Sequence, residues 1–399
     1  MLIAGEASGD LLASELVMAL RSQWPEARFI GAGGIKMKLA GVRLAFDLTQ
    51  HSVIGISDVL KNLSEYRRLF NHLLELAEKQ KPDAVIGVDY GGFNLRFGHA
   101  VKKLARKSRS ASPPWKPKII QFVSPQVWAS RPGRAKRLTK DYDLLLSIFP
   151  FEKDWYARRV PKLRVEFVGH PMIGRYTIDD LRLTSHEPEG SRSRGNEAQT
   201  ERVTEIPHVV SCRILLLPGS RTSELQRHLP VMLEALKLIQ AKLPEAQATV
   251  VLPNAELVQQ AKSLNVPETL KIQTGKLPEA LARADVAIAS TGTVTMECAF
   301  FGVPTVTLYK TSWLTYQIAR RIVTVKSLTM PNLLASAEVY PEFVQDAATP
   351  ENLAGAALDL LQNETRRAQI KQQLAQVIST LGRPGAPKRA ADAISSLFT

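Results

Sequence analysis

Cysteine is nearly absent: Cys212 and Cys298 are the only two in 399 residues. They form no metal-ligand spacing such as CxxC, and one possible pair is no disulfide framework. A reducing compartment, such as the cytoplasm, is the simplest setting for such a chain. No His or carboxylate cluster has metal-ligand spacing, and no His–Asp–Ser order suggests a hydrolase triad. Long hydrophobic runs are missing too. No stretch approaches the ~20 uninterrupted apolar residues of a spanning helix. The N-terminal MLIAGEASGD has no charged leader and no apolar h-region, so no secretory signal is expected. Any membrane contact is then peripheral. The first apolar run, MLIA, is short for a strand; either the strand is short or it begins upstream of Met1.

Acidic charge is also scarce. Thirty-eight Asp and Glu face 52 Lys and Arg, a net charge of +14. That excess favours a polyanionic partner: nucleic acid, an anionic membrane surface or a phosphorylated substrate. No RNA- or DNA-binding module is recognisable, which argues against nucleic acid.

What is present is ordinary globular material, 45% hydrophobic and 23% charged. Its length suits two domains of roughly 150–200 residues each. Strand-length apolar runs fall at 2–4, 27–32, 84–90, 118–123, 143–149 and 165–169. A second set falls at 213–220, 248–253, 285–290 and 304–309. They are continuously apolar and β-branched, as strands covered on both faces should be. Helical patterns lie between them, at 54–79, 224–243 and 256–264 among others. The alternation predicts an α/β chain of two doubly wound domains. The expected boundaries are 1–175, a polar linker or insert at 176–211, 212–350, and C-terminal helices over 351–399. GRPGAP (382–387) should interrupt those last helices. The segments 54–77 and 312–328 carry apolar residues at helical spacing beside arginines. Each reads as core packing or as an apolar face lying on lipid.

Chemistry concentrates where strands end. In DVAIAS-TGTVTMEC a strand stops at Ser290 and Gly292 lets backbone approach a ligand. Thr291, Thr293 and Thr295 offer hydroxyls. A helix start there suits phosphate, and Glu297 suits ribose hydroxyls. The same residues also read as ordinary Thr capping with a capping-box Glu. In LLLPGSRTSEL, Arg221 is a phosphate-pairing fork or a solvated turn residue. In LIAGEASGD, Glu6, Ser8 and Asp10 crowd a strand mouth and either bind sugar hydroxyls or cap a helix. In VDYGGFN, Asp89 closes a buried run and is either a general base or a cap. Gln126 and Trp128, in FVSPQVWASR, either line a sugar or acyl pocket or are structural. Arg131, Arg134, Lys136 and Arg137 form a basic cluster or a solvated helix face.

Nine motifs occur in order: GEASGD, GISDVL, VDYGGFN, VSPQVWASR, FPFEKDWY, VGHPM, LPGSR, STGTVTMEC and MPNLLA. The chain closely resembles the lipid-A-disaccharide synthase family, GT-B-fold glycosyltransferases of outer-membrane lipid biosynthesis. The resemblance covers nearly the whole chain apart from loops 106–118 and 184–211. It implies two Rossmann-like domains facing a cleft, acceptor-binding over 1–175 and UDP-sugar-binding over 212–350, with the C-terminal helices packing back on the first domain. It implies an inverting, metal-free transfer that needs no cofactor. UDP-diacylglucosamine donates its sugar to the 6-hydroxyl of diacylglucosamine 1-phosphate, forming a β-1,6 disaccharide 1-phosphate and UDP.

By matching, the donor residues are Arg221, Glu224, Thr291, Gly292, Thr293, Thr295, Glu297, Tyr309, Lys310 and Asn332. The acceptor side is Glu6, Ser8, Asn94, Gln126 and Trp128. Asp89 or Asp10 is the expected base, because many relatives read D-x-P-D-F-N and Gly92 stands here for their second acid. The resemblance further implies peripheral contact with anionic lipid on the inner face of the inner membrane, and a homodimer with exchanged C-terminal helices. The competing expectations are another GT-B UDP-sugar enzyme, such as a peptidoglycan-precursor transferase or a UDP-sugar 2-epimerase, and a catalytically silent UDP-sugar-binding protein.

Overall fold

The computed structural model describes residues 1–49, 63–107, 114–176 and 212–399. Segment 184–211, part of the 106–118 loop, and Ile56, Val59 and Leu60 of the 54–77 pattern lie outside the described residues. The chain divides into two compact units. The first comprises Met1–Arg175, Gln317–Thr324 and Thr380–Thr399; the second comprises Tyr176–Tyr316 and Val325–Ser379.

The strands of the first unit are β1 (Leu2–Ala4), β2 (Ile30–Gly33), β3 (Arg43–Asp47), β4 (Ala84–Val88), β5 (Lys118–Phe122), β6 (Leu144–Ser147) and β7 (Val165–Phe167). All pair in parallel, in the order β3-β2-β1-β4-β5-β6-β7. Its helices are α1 (Ala7–Gln23), α2 (Ile35–Leu39), α3 (Leu63–Gln80), α4 (Gly91–Lys107), α5 (Val127–Ser130), α6 (Ala135–Asp141) and α7 (Pro150–Arg159). Inner strands such as Leu2–Ala4 and Leu144–Leu146 are buried on both faces, which their unbroken apolar sequence demands. In α4 a stripe of Phe93, Phe97, Val101 and Ala105 repeats every four residues and is buried, the spacing that puts one helix face against a sheet. Truncating Phe97 to alanine there would cost about 3–5 kcal/mol. The described part of the 54–77 pattern also packs inward, through Leu69, Leu73 and Ala77.

The second unit has β8 (Arg213–Leu217), β9 (Gln247–Leu252), β10 (Lys271–Thr274), β11 (Val286–Ser290), β12 (Thr305–Tyr309) and β13 (Glu342–Val344). They too are parallel, in the order β10-β9-β8-β11-β12-β13. The helices that follow β8 in the chain are α8 (Thr222–Lys242), α9 (Ala255–Lys262), α10 (Leu277–Leu281), α11 (Val294–Phe300), α12 (Trp313–Ile322), α13 (Met330–Ala335), α14 (Pro350–Gln362), α15 (Glu364–Ser379) and α16 (Ala386–Ser395). Each sheet reverses its strand order beside its first strand, between β1 and β4 and between β8 and β11. In such folds that switch point is where a ligand sits, outside the carboxyl ends of the strands.

Three strands escape the sequence pattern: β3 (RLAFD), β10 (KIQT) and β13 (EFV). All three are sheet edges. An edge strand has one partner and a half-solvated surface, so it needs no continuous apolar run.

The tail expected to pack on the first domain divides instead. α14 buries Leu353, Ala354, Ala357, Leu358, Leu360 and Leu361 in the second unit's core, and Ile370 and Leu374 of α15 join them. Only the stretch from Thr380 onward, with α16, belongs to the first unit. There α16 packs on α1, with Gln23 Nε2 donating to Asp392 Oδ1 at 2.6 Å. The break between them falls at 380–385, where Gly382 (φ +92°) and Gly385 (φ +95°) adopt left-handed backbone.

Candidate active site

In the first unit, three adjacent strand ends carry the expected acceptor-side residues. After β1 the chain turns tightly at Gly5 and enters α1. A Cβ at Gly5 would lie 2.3 Å from the Tyr90 ring, so glycine lets this turn sit against the turn that follows β4. Glu6 is half-buried and Ser8 exposed. Asp89 and Tyr90 both have positive φ, +49° and +47°, each costing about 1–2 kcal/mol for a residue with a Cβ. Val123, just past β5, is at φ +66°, an outlier for a β-branched residue. Three left-handed residues thus lie at two neighbouring strand ends.

Two buried amides hold the first of these turns. Asn94 Nδ2 and Gln121 Nε2 each donate to the Asp89 carbonyl at 2.8 Å. The two residues are 2% and 0% exposed. Their own oxygens, Asn94 Oδ1 and Gln121 Oε1, have no hydrogen-bond partner among the described residues. Each such orphan costs about 1–3 kcal/mol. Asn94, expected on the acceptor surface, therefore points into the sheet.

Asp10 is likewise held by backbone groups. It is 3% exposed, and its carboxylate accepts from the amides of Gly34 (2.7 Å), Lys36 (2.9 Å) and Met37 (3.1 Å). It caps α2, whose own N-cap residue, Gly34, has no side chain to do so. Asp89, the other expected base, is half-buried.

Trp128 is 8% exposed, and its indole N–H donates to Glu152 Oε1 at 2.9 Å. Ser147 Oγ donates to Glu152 Oε2 at 2.8 Å. Glu152 is fully buried, and burial pushes its carboxyl up to about 7, against the bonds from Trp128 and Ser147 that lower it. Gln126 remains exposed at the start of α5. Glu152 was legible within FPFEKDWY only as a motif letter; nothing in the local pattern marked it as buried.

In the second unit, the ends of β8, β11 and β12 lie side by side. The turn after β8 wraps a carboxylate: Glu224 Oε2 accepts from the Ser220 amide at 3.1 Å, and Oε1 accepts from Arg221 Nη1 at 2.7 Å. Gly219 is at φ +122°, and a Cβ on it would lie 2.3 Å from Glu224 Oε2. Glu224 thus orients Arg221, whose side chain stays 35% exposed. Tyr309, at the end of β12, belongs to the same group. Burial and the Glu224 charge push its phenol above the usual range, opposed by Arg221 and Arg227.

After β11, Gly292 (φ +154°) makes the turn. The Thr295 hydroxyl donates back to the Gly292 carbonyl at 2.7 Å, and Thr295 is buried. Thr293 is exposed and Thr291 half-buried. At the start of α11 the Thr295 and Met296 amides donate to the Gly292 and Thr293 carbonyls at 3.2 and 3.0 Å. Glu297 Oε2 accepts from the Tyr176 hydroxyl at 3.1 Å. Tyr176 itself packs on Phe300 and Phe301, which fixes the Glu297 carboxylate from behind.

Two of the expected donor residues are engaged by backbone groups and by Glu342. Lys310 Nζ caps the carbonyls of Gln345 (3.1 Å) and Ala348 (3.2 Å). Asn332 is 2% exposed and bonds Glu342, the Tyr340 carbonyl and the Val339 and Tyr340 amides.

His228 is the residue that sequence reasoning missed. It is fully buried. Nδ1–H donates to the Pro218 carbonyl at 2.8 Å, and Nε2 accepts from the Lys310 amide at 3.0 Å. Burial pushes its pKa down, so it is neutral. One ring therefore ties the β8 turn to the β12 turn. The available signal was its register with Leu225, Leu229 and Met232 on the apolar face of α8. Among the described residues no group of His, Cys, Asp or Glu could hold a metal ion.

Two parallel sheets, each in Rossmann order with a shaped turn at its switch point, define a protein of the GT-B fold class. The fold is similar to that of UDP-GlcNAc 2-epimerase from Neisseria meningitidis bound to UDP-GlcNAc, with a TM-score of 0.59 at 11% identity over 99% of this chain and 98% of that one. It is likewise similar to a calicheamicin glycosyltransferase, with a TM-score of 0.56 at 14% identity over 99% and 96%. The particular family is settled by sequence. The lipid-A-disaccharide synthetase family matches residues 1–396, and the chain belongs to it. A lipid-A-disaccharide synthase of Syntrophus aciditrophicus is 35% identical over 396 residues, 98% of this chain and 95% of the relative.

Proposed function

We propose that the protein is a lipid-A-disaccharide synthase, an inverting glycosyltransferase that joins UDP-diacylglucosamine to diacylglucosamine 1-phosphate. Its second unit holds the donor. Arg221, oriented by Glu224, faces the diphosphate together with the Gly292–Thr293 backbone, while Glu297 takes the ribose hydroxyls. Tyr309 closes the same mouth. These groups stabilise the charge that builds on departing UDP, which is where fixed donors act most strongly. In the first unit, Asp89 takes the proton from the acceptor 6-hydroxyl as that oxygen attacks the sugar C1 and the bond to UDP breaks. Glu6, Ser8 and Gln126 line the acceptor mouth.

The observation that carries the donor assignment is the Ser220–Arg221–Glu224 arrangement beside Tyr309, on a chain of this family. The test is direct: purified protein with both diacylated sugars, UDP release followed in time, and the product read by mass. Arg221→Ala and Glu297→Ala should each weaken UDP binding about 10–100-fold. Asp89→Asn should cut kcat ~100-fold or more with the fold intact.

Gly92 favours a second reading, a UDP-sugar-binding protein without turnover; binding without UDP release would establish it. A Cβ at Gly92 meets nothing within 4 Å, so Gly92→Asp is sterically accepted and reports whether an acid there raises turnover.

Peripheral membrane contact completes the proposal. α12 has no buried residue; Trp313 and Leu314 are 72% and 59% exposed, with Arg320 and Arg321 in its last turn. That combination suits an anionic bilayer on the inner face of the inner membrane. Trp313→Glu should reduce co-sedimentation with anionic vesicles. A homodimer is the expected assembly, read by light scattering.

A further inference from the structure

The turn that carries Asp89 is held in a conformation its own residues resist, and the means of holding it are unusual. Asp89 and Tyr90 are consecutive left-handed residues at the end of β4. The Asp89 amide donates to the Phe122 carbonyl at 2.8 Å. Its carbonyl receives two side-chain amides, one from α4 and one from β5, each at 2.8 Å. Gln121 reaches further, to the carbonyls of Phe122 and Val123, both at 3.3 Å, and so also braces the strained residue after β5.

A central strand of a parallel sheet has no structural need of a glutamine. An apolar residue of the same size would fill the site and leave no orphan oxygen. Gly87 makes the room: a Cβ there would lie 2.6 Å from Gln121 Oε1 and 2.8 Å from Asn94 Cβ. Asn94 Nδ2 also lies 3.4 Å from the Ile3 and Val88 carbonyls, but the shortest contact of both amides is the one carbonyl they share. Fixing that carbonyl fixes the rotation on either side of it. The direction of the Asp89 side chain follows.

We propose that Asn94 and Gln121 are positioning residues: a two-amide clamp that locks the Asp89–Tyr90 turn and aims the Asp89 carboxylate for proton transfer. The kinetic part of this rests on Asp89 being the base; the conformational part does not. An amide clamp tunes geometry, not binding. Its removal lowers kcat and leaves both KM values in place, because a misaimed base loses rate steeply with small displacements.

The test uses the full chain with Gln121→Met and the double variant Asn94→Leu/Gln121→Met. Each removes a donor and its orphan oxygen and keeps a side chain of similar length. The expected result is a kcat reduced about 10–100-fold in Gln121→Met. Both KM values stay within about twofold, and the thermal midpoint is unchanged or raised, because an unsatisfied buried oxygen is gone. A crystal structure of the double variant should show Asp89 and Tyr90 relaxed to negative φ. A turn that keeps positive φ at both residues in the double variant overturns the clamp, whatever the base. A normal kcat in Gln121→Met, in a protein where Asp89→Asn is inactive, also overturns it. An active Asp89→Asn, with the turn relaxed in the double variant, leaves the clamp standing and removes the base assignment. A lowered midpoint with activity lost in proportion to the folded fraction reduces the amides to packing and overturns the positioning role.

Discussion

Glu152→Gln should change how stability depends on pH, in a direction opposite to that of most carboxylates. The Glu152 side chain is 0% exposed, its oxygens accept from Trp128 and Ser147, and no cation is among the groups that act on it. Burial raises its pKa from 4.5 to about 7. The folded protein therefore holds this proton where the unfolded chain has released it. The contribution is complete below pH 4.5 and is lost as pH rises through about 7. At 1.36 kcal/mol per unit, the loss is about 3 kcal/mol. Glutamine keeps an acceptor for the Trp128 indole and never ionises. In urea unfolding followed by tryptophan fluorescence, the variant's stability relative to the parent should rise by about 3 kcal/mol between pH 4.5 and 7.5. His170, whose imidazole burial pushes down to about 4, works in the other direction. Its stabilising contribution is present above pH 6.5 and falls away towards pH 4, equally in both proteins, so it cancels in the difference. A variant-minus-parent difference that stays constant, or falls, as pH rises refutes the assignment of a neutral, buried carboxyl at this position.

Three further expectations concern the turns at the strand ends. Gly219→Ala places a Cβ 2.3 Å from Glu224 Oε2 at a backbone φ of +122°; UDP affinity measured by calorimetry should fall about tenfold or more, since about 1.4 kcal/mol suffices. Gly5→Ala drives a methyl into the Tyr90 ring; the first unit should lose about 1–3 kcal/mol of stability, read as a lowered thermal midpoint, together with turnover. His228→Leu leaves the Pro218 carbonyl and Lys310 amide without their shared partner, a cost of about 1–3 kcal/mol; weaker UDP binding with an unchanged acceptor KM is the expected signature, and unaltered UDP affinity would show that the two donor turns hold their shape independently.

The interior strands and the switch-point turns were legible in the chain because each carries its reason locally. A strand covered on both faces must be apolar throughout, and a turn that exposes backbone must use residues such as Gly219 and Gly292. The Arg221–Glu224 pair was not read from the sequence, although residues three apart at a helix start can meet. The nine ordered motifs, from GEASGD to MPNLLA, identified the family before any coordinate.

What tertiary structure alone decided is where polar side chains are used up. Asp10 looked like a base until the amides of Gly34, Lys36 and Met37, more than twenty residues away, consumed its carboxylate. Lys310 and Asn332, expected as ligand contacts, are engaged by backbone groups that the local pattern does not show. Gln121 and His228 reversed the case, bland in the sequence and central in the fold. The edge strands β3, β10 and β13 and the divided C-terminal tail belong here too, because neither pairing nor packing partner is written in the segment itself. A local pattern records what a residue can bond to; only the fold brings up the partner, and the nearest partner takes the bond.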